Sequence, residues 1–279
     1  ETIAYIKESL RNLYPSSEVS SLVRLIMERV CNIQPHHFLF CKDKELSENE
    51  KNRIHEIVER LKQMEPIQYI LGTADFYSLQ FEVDPSVLIP RPETEELVEQ
   101  VILDNADKRI KILDIGTGSG CIAITLSQEL PQAQVSAIDI STQALAIARK
   151  NAERLGAAVD FRCQDILDSP SKDQDSPLWD IIVSNPPYVC EHEREDMEEN
   201  VLRYEPSQAL FVPDHDPLLF YRAIGEYAVK TLKEGGRLYV EINRAYGWET
   251  TRLFQSLGLR DVTLKKDFYD NERMIRCRK

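Results

Sequence analysis

No apolar run in this sequence approaches the roughly 18 residues that a membrane span needs. The opening residues, Glu1-Thr2-Ile3-Ala4-Tyr5-Ile6-Lys7-Glu8, carry charge where a signal peptide needs an apolar core. A cytoplasmic protein with no membrane partner is therefore expected. The six cysteines, at 31, 41, 121, 163, 190 and 277, form no Cys-x-x-Cys pair, and they read as reduced thiols. The five histidines, at 36, 37, 55, 192 and 215, make neither a His-Glu-x-x-His helix nor a Cys/His cluster, so no metal site is expected. Positive charge is in deficit: 34 Lys and Arg against 47 Asp and Glu leave a net charge of −13. Proteins that grip nucleic acid draw most of their affinity from basic groups on phosphates. This balance favours a protein or small-molecule substrate. There is no internal repeat.

The rest of the composition is that of an ordinary globular chain, 42% hydrophobic and 29% charged. A length of 279 residues allows a sizeable core in one large or two ordinary domains.

Residues 1–72 read as a small helical bundle. Ile3, Ile6, Leu10 and Leu13 recur at helical spacing up to Pro15, and Val19, Leu22, Val23, Ile26 and Val30 form a second stripe. Ser47-x-x-Glu50 has the form of a capping box opening a third helix with Ile54, Ile57, Val58 and Leu61 on one face. A short helix over 65–71 stops at Gly72. This region is read both as scaffold and as a substrate-docking domain. Residues 73–92 read as a hairpin and linker, from the alternation of Phe76, Leu79, Phe81 and Val83 and the Asp84-Pro85 turn. A helix then runs from Glu93 to Leu103, with Pro92 near its first turn.

From residue 93 to 279 the pattern becomes α/β. Strands at 110–115, 134–140, 158–163, 179–184 and 237–242 alternate with helices at 120–129, 142–155, 217–232 and 247–257, and two strands close the chain at 260–266 and 272–278. Such alternation signals a parallel sheet covered by helices. Residues 168–177 read as a polar loop, Gly235-Gly236 as a turn, and the stretch after Tyr188 as irregular.

Two stretches carry the chemistry. The first is Gly116-Thr117-Gly118-Ser119-Gly120 after the strand Ile110-Lys111-Ile112-Leu113-Asp114, a cofactor loop at the C-terminal edge of a parallel sheet. Its Gly-x-Gly-x-Gly spacing misses the Gly-x-Gly-x-x-Gly of dinucleotide sites, and position 121 is Cys. No Gly-Lys-Ser/Thr follows, which excludes a P-loop. A phosphate-free donor, S-adenosylmethionine, fits better. Asp139 lies 23 residues beyond Gly116 at the end of the next strand, where a carboxylate can accept both ribose hydroxyls. Asp165, at the end of the third strand, is a candidate for the adenine amine, and Ile140 and Ile166 are candidates to flank the ring. Arg91 and Thr94, at a helix start, are candidates for the amino-acid end of the donor; equally, Arg91 pairs with Glu93 or Glu95.

The second stretch is Asn185-Pro186-Pro187-Tyr188, at the end of Trp179-Asp180-Ile181-Ile182-Val183-Ser184. It offers a carboxamide, a backbone carbonyl and an aromatic ring to a flat NH2 group: Asn185 Oδ1 and the Pro186 carbonyl accept its two hydrogens, and Tyr188 packs on its face. Together the stretches read as an S-adenosylmethionine-dependent N-methyltransferase that works by positioning and preorganised hydrogen bonding, with no strong general base in view. The segment 191–199 is acidic at six of nine positions. Beside the active loop it would repel phosphates.

These motifs, taken with Leu88-Ile89-Pro90-Arg91-Pro92-Glu93-Thr94-Glu95, Arg203-Tyr204-Glu205-Pro206 and Asp270-Asn271-Glu272-Arg273, resemble the bacterial release-factor glutamine N5-methyltransferases. The resemblance covers the chain from about residue 65 to the end, and the helical N-terminal region fits the same layout. It implies a Rossmann-like, seven-stranded class I methyltransferase sheet and a substrate, the glutamine of the Gly-Gly-Gln loop of peptide-chain release factors 1 and 2. It implies that residues 116–120, Asp139, Ile166 and Asn185 line the donor site, that 185–188 hold the glutamine amide, and that S-adenosylhomocysteine is the product. Some relatives carry an aromatic residue where Ile166 stands. A monomer is expected. Two other readings stand beside this one: an adenine-N6 methyltransferase of DNA or RNA, because Asn-Pro-Pro-Tyr serves a planar exocyclic amine equally well, and a non-catalytic donor-binding adaptor.

Overall fold

The computed structural model describes residues 2–33, 46–106, 108–168 and 178–279. His36, His37, Cys41 and most of the polar loop read at 168–177 lie outside the described residues. The chain divides into two compact units, Glu1–Gly72 with Glu198–Tyr204, and Thr73–Met197 with Glu205–Lys279.

In the first unit, α1 (Thr2–Leu10), α2 (Ser16–Cys31), α3 (Glu48–Lys62) and α4 (Ile67–Leu71) each turn one stripe inward. Ile6, Leu10, Leu22, Ile26, Ile54, Ile57 and Leu61 are buried in one cluster. The capping box is formed: Ser47 accepts from the Glu50 N–H, and the Glu50 carboxylate accepts from the Ser47 N–H. Gly72, at φ 73°, ends α4 in the left-handed conformation that glycine adopts without steric cost.

The second unit opens with a hairpin, β1 (Thr73–Phe76) and β2 (Leu79–Glu82), paired antiparallel. Its two-residue turn, Tyr77-Ser78, holds both residues at positive φ, 48° and 62°, as tight hairpin turns require. Phe76 and Phe81 are fully buried in the core of this unit.

There follow α5 (Pro92–Asn105), β3 (Lys111–Ile115), α6 (Cys121–Glu129), β4 (Gln134–Asp139), α7 (Thr142–Leu155), β5 (Val159–Cys163) and β6 (Trp179–Ser184). Next come β7 (Val189–Cys190), α8 (Glu199–Tyr204) of the first unit, β8 (Phe211–Val212), α9 (Leu219–Thr231), β9 (Leu232–Glu241), α10 (Gly247–Ser256), β10 (Arg260–Lys266) and β11 (Glu272–Arg278). The seven-stranded sheet has the order β10-β11-β9-β6-β3-β4-β5. The five strands β5, β4, β3, β6 and β9 are parallel. β11 is antiparallel to β9, and β10 to β11. Neighbouring residues on each strand serve opposite faces. Ile112, Val135, Ile181 and Val183 pack with α5 and α6, whereas Leu113, Ile138, Ile182 and Val240 pack with α9 and Phe254 of α10. Burial on both faces explains why β6 is a continuous apolar run rather than an alternating one.

This order places the site. The chain lays β3, β4 and β5 outward in one direction, then returns to set β6 on the other side of β3. The loops after β3 and β6 therefore open into one crevice, the switch point at which open α/β sheets bind ligands.

Two stretches depart from the sequence reading. Gly235-Gly236 is not a turn before a strand but lies within β9, where the pairing with β6 shifts register between Trp179 and Ile181. Gly235 sits at φ 77°, and a Cβ on Gly236 would lie 2.9 Å from the Lys233 carbonyl oxygen and 3.1 Å from that of Asp180. The pair makes a bulge through which backbone approaches backbone, a second use of glycine that local sequence does not separate from a turn. The stretch after Tyr188, read as irregular, contains α8 and a parallel pair of two-residue strands, β7 and β8, too short to show periodicity.

Candidate active site

The loop after β3 is strapped to the end of β4. The Gly116 and Thr117 N–H groups donate to the Ile138 carbonyl at 2.9 and 3.1 Å, and the Gly118 N–H donates to Asp139 Oδ2 at 2.9 Å. Gly116, Gly118 and Gly120 all have positive φ, at 74°, 55° and 84°. A Cβ on Gly120 would stand 2.8 Å from Ile124 Cδ1 and 3.2 Å from Ala148 Cβ, so this glycine lets the loop close onto α6 and α7. At Gly116 and Gly118 there is nothing within 4 Å of such an atom, and both line a cavity of about 300 Å³. Thr117 and Ser119 face inward instead. Both are buried, and Thr117 Oγ1 donates to Asp114 Oδ2 at 2.6 Å beneath the loop. Burial pushes the Asp114 carboxyl up to about 7, against the Thr117 hydrogen bond and with help from the charge of Asp139.

Asp139 lies at the cavity wall. Its Oδ1 accepts from the Ser141 N–H at 2.8 Å, while Ser141 Oγ caps α7 by accepting from the Ala144 N–H. Burial raises the Asp139 pKa, and the N–H groups of Ser141, Gly118 and Ile140 oppose that rise. Ile140, Asp165 and Ile166 line the same cavity, and Asp165 Oδ1 accepts from the Leu167 N–H at 2.9 Å.

The loop after β6 enters from the other side. Ile115 of β3 pairs with Ser184 of β6, so Gly116 and Asn185 follow from adjacent points of the sheet edge. Asn185, Pro186 and Pro187 line the cavity. Asn185 Nδ2 lies 3.1 Å from Thr94 Oγ1, and Thr94 Oγ1 lies 2.6 Å from Glu241 Oε2. The Tyr188 hydroxyl donates to Glu241 Oε1 at 3.0 Å. Burial drives the Tyr188 pKa upward, with the Glu241 charge adding to it.

Six of the candidate residues do not line the cavity: Thr117, Ser119, Gly120, Tyr188, Thr94 and Arg91. Arg91 pairs with neither Glu93 nor Glu95 but with Glu205, at 2.6 Å, and Glu205 also accepts from the Ile89 N–H. Glu205 belongs to the Arg-Tyr-Glu-Pro stretch, to which the sequence reading attached no role. Glu241 went unnoticed altogether. Its one signal is a carboxylate inside the apolar run Leu238-Tyr239-Val240-Glu241-Ile242, a pattern that marks a buried, partnered charge.

The acidic run 191–199 is not uniformly solvated. Glu193 turns inward, and its Oε2 accepts from the Cys190 N–H at 2.7 Å and from Asn243 Nδ2 at 2.8 Å. The fold also gathers Cys190, His192 and Asp214, with potential ligand atoms all within 4.8 Å, a grouping that no sequence spacing announced. Within it His192 Nδ1 and Asp214 Oδ1 bond to each other at 2.8 Å, and Cys190 Sγ meets the Tyr246 hydroxyl at 3.6 Å.

Among the described residues no helix is long and apolar enough to cross a membrane.

Comparison with known proteins gives the same architecture a family. The model of the methyltransferase small domain matches residues 94–207, and that of the PrmC N-terminal domain matches residues 1–72. The chain is similar to the release factor glutamine methyltransferase of Bacteroides thetaiotaomicron, at 49% identity over 98% of this chain and 97% of that one. It is similar to the enzyme of the same name from Flavobacterium psychrophilum, at 44% identity over 96% and 95%. Among solved structures it resembles a methyltransferase from Pyrococcus furiosus, with a TM-score of 0.54 at 18% identity over 84% of this chain and 99% of that one, a likeness of fold.

Proposed function

Because the chain belongs to the release factor glutamine methyltransferase family, we propose that it transfers a methyl group from S-adenosylmethionine to the side-chain amide nitrogen, N5, of the glutamine in the Gly-Gly-Gln loop of release factors 1 and 2. The observation that carries this reading is the pairing of Ile115 with Ser184, which starts the glycine loop and the Asn-Pro-Pro-Tyr loop side by side at one cavity.

The cavity suits that donor. Gly116 and Gly118 present bare backbone, Ile140 and Ile166 supply apolar wall, and Asp139 offers a carboxylate to vicinal hydroxyls. Asp165 is the candidate for the adenine amine. When bound, the donor supplies an electrophilic methyl on a cationic sulfur.

The protein's part is orientation. An amide nitrogen is a poor nucleophile because its lone pair is delocalised into the carbonyl. Asn185 Oδ1 and the Pro186 carbonyl accept the two N–H bonds of the substrate glutamine, which raises charge on nitrogen and aims it. Pro187 extends the wall. The N–C bond forms as the S–C bond breaks, and the nitrogen gives up one proton to solvent. The unit containing residues 1–72 is taken as the docking surface for the release factor, a reading supported by its match to the PrmC N-terminal domain. The enzyme is taken to work as a monomer.

The test is peptide mass spectrometry of a release factor incubated with the protein and S-adenosylmethionine, with duplex DNA and RNA in parallel. One added methyl on the Gly-Gly-Gln glutamine, absent from a Gln→Ala control, is the expected result. Methylated adenine with an unmodified release factor would overturn it.

A further inference from the structure

A carboxamide is nearly symmetric in shape, and its two ends do opposite work. Asn185 can hold a substrate NH2 only if Oδ1 faces the cavity. With its own NH2 turned there, donor would meet donor. Something must decide which way round the group sits.

The hydrogens available behind Asn185 decide it. Glu241 is 1% exposed and Thr94 2% exposed, so no bulk water completes their bonding. Two hydroxyls converge on the Glu241 carboxylate, Tyr188 at 3.0 Å on Oε1 and Thr94 at 2.6 Å on Oε2. The shorter contact has the length of a hydroxyl-to-carboxylate hydrogen bond. Burial raises the Glu241 pKa, while the Thr94 and Tyr188 hydroxyls and the charge of Arg273 oppose that rise and favour the ionised form. An ionised carboxylate only accepts, so the single proton of Thr94 is committed to Glu241. Thr94 Oγ1 is then left with lone pairs alone for its other neighbour, the Asn185 amide at 3.1 Å. That neighbour must be the NH2 end. Nδ2 is held at the back, and Oδ1 is turned forward.

We propose that Glu241, acting through Thr94, is the positioning residue that sets the direction of the Asn185 carboxamide. This role rests on Asn185 being the acceptor for the substrate amide. Glu241 touches no reacting atom. It acts by holding one proton on Thr94, and its second oxygen is occupied by Tyr188, the last residue of the same loop. The arrangement explains why Thr94, Tyr188 and Glu241 stand together although only Asn185 of the four lines the cavity.

Thr94→Val keeps the shape of the side chain and removes both the proton and the acceptor. With S-adenosylmethionine and a release factor as substrates, kcat is expected to fall about 10- to 100-fold, the scale of a lost alignment. The donor Kd and the KM for the release factor should stay close to wild type, and the melting temperature should fall by only a few degrees, the cost of the lost buried hydrogen bond to Glu241. Thr94→Ser restores the hydroxyl and should recover most of kcat. A Thr94→Val enzyme as fast as wild type overturns the relay. So does a parallel loss in Val and Ser variants accompanied by a larger fall in melting temperature, which would mark a packing role. Asn185→Ala in the same assay separates the premise from the inference. If it too turns over at the wild-type rate, the acceptor reading itself fails. If it alone is inactive while Thr94→Val is not, the acceptor stands and the relay falls.

Discussion

The hydroxyl of Ser184 donates to the carbonyl oxygen of Ile115 at 2.7 Å, across the strand pair β6–β3 and one residue before each of the two active loops. Ser184 is fully buried. The bond fixes the height of one loop against the other at the point where the sheet ends. A methyl transfer needs donor and acceptor aligned along one axis, and that alignment begins at this pair of residues.

Ser184→Ala removes the bond and leaves the volume nearly unchanged. A loss of about 1 kcal/mol in unfolding free energy is expected, typical for one buried neutral hydrogen bond. Urea denaturation would measure it. A midpoint equal to that of wild type would mean that the Ile115 carbonyl does not depend on this donor.

Asn185→Ala should separate binding from chemistry. Donor affinity is expected to stay close to wild type, because Gly116, Gly118, Asp139 and the apolar wall of Ile140 and Ile166 remain to hold the donor. Turnover should largely vanish. Calorimetric titration with S-adenosylmethionine beside single-turnover kinetics resolves the two, and a lost donor affinity would move Asn185 from substrate to donor.

Asp139→Ala should do the reverse. Removing a carboxylate that hydrogen-bonds the donor costs about 1.5–3 kcal/mol of affinity, roughly a factor of ten to a hundred. Part of that loss would come through the loop, since Asp139 also holds the Gly118 N–H. An unaltered Kd in calorimetry would show that the ribose sits elsewhere.

Asp114 gives the protein a pH signature. Its carboxyl is raised from 3.8 to about 7, chiefly by burial. A raised folded-state value means that the native protein keeps a proton the unfolded chain has released. Stability is therefore fullest below the unfolded value and falls as pH rises through the folded one. At about 1.36 kcal/mol per unit, the loss between pH 5 and pH 8 is about 3 kcal/mol. Asp114→Asn, which cannot ionise, should not show it. Urea unfolding of both proteins at the two pH values should find the variant gaining on wild type by about that amount at pH 8. A gap that does not change with pH would place the Asp114 carboxyl in its ordinary range.

Much of this protein was legible along the chain because the signals are local. Helical stripes such as Ile54, Ile57, Val58 and Leu61 mark buried faces, and Ser47 with Glu50 marks a helix start. Glycine at 116, 118 and 120 marks backbone that must turn left-handed, and an apolar run ending in Asn-Pro-Pro-Tyr marks a central strand delivering a loop. Each is written within a few neighbouring residues, and the forces behind it act over the same distance.

The remainder was set by contacts between distant parts of the chain. Gly235-Gly236 became a bulge because Asp180 of another strand lies against it. Arg91 found Glu205 rather than its neighbours in sequence, and Thr94 found Glu241, 147 positions away. Strand order decides such meetings. A sheet edge brings together residues with no common local pattern, and a buried carboxylate must take its hydrogen bonds from whatever donors that edge supplies. The motifs carry the chemistry of the site, while the order β9-β6-β3-β4 brings its parts to one place and, through Glu241 and Thr94, orients them.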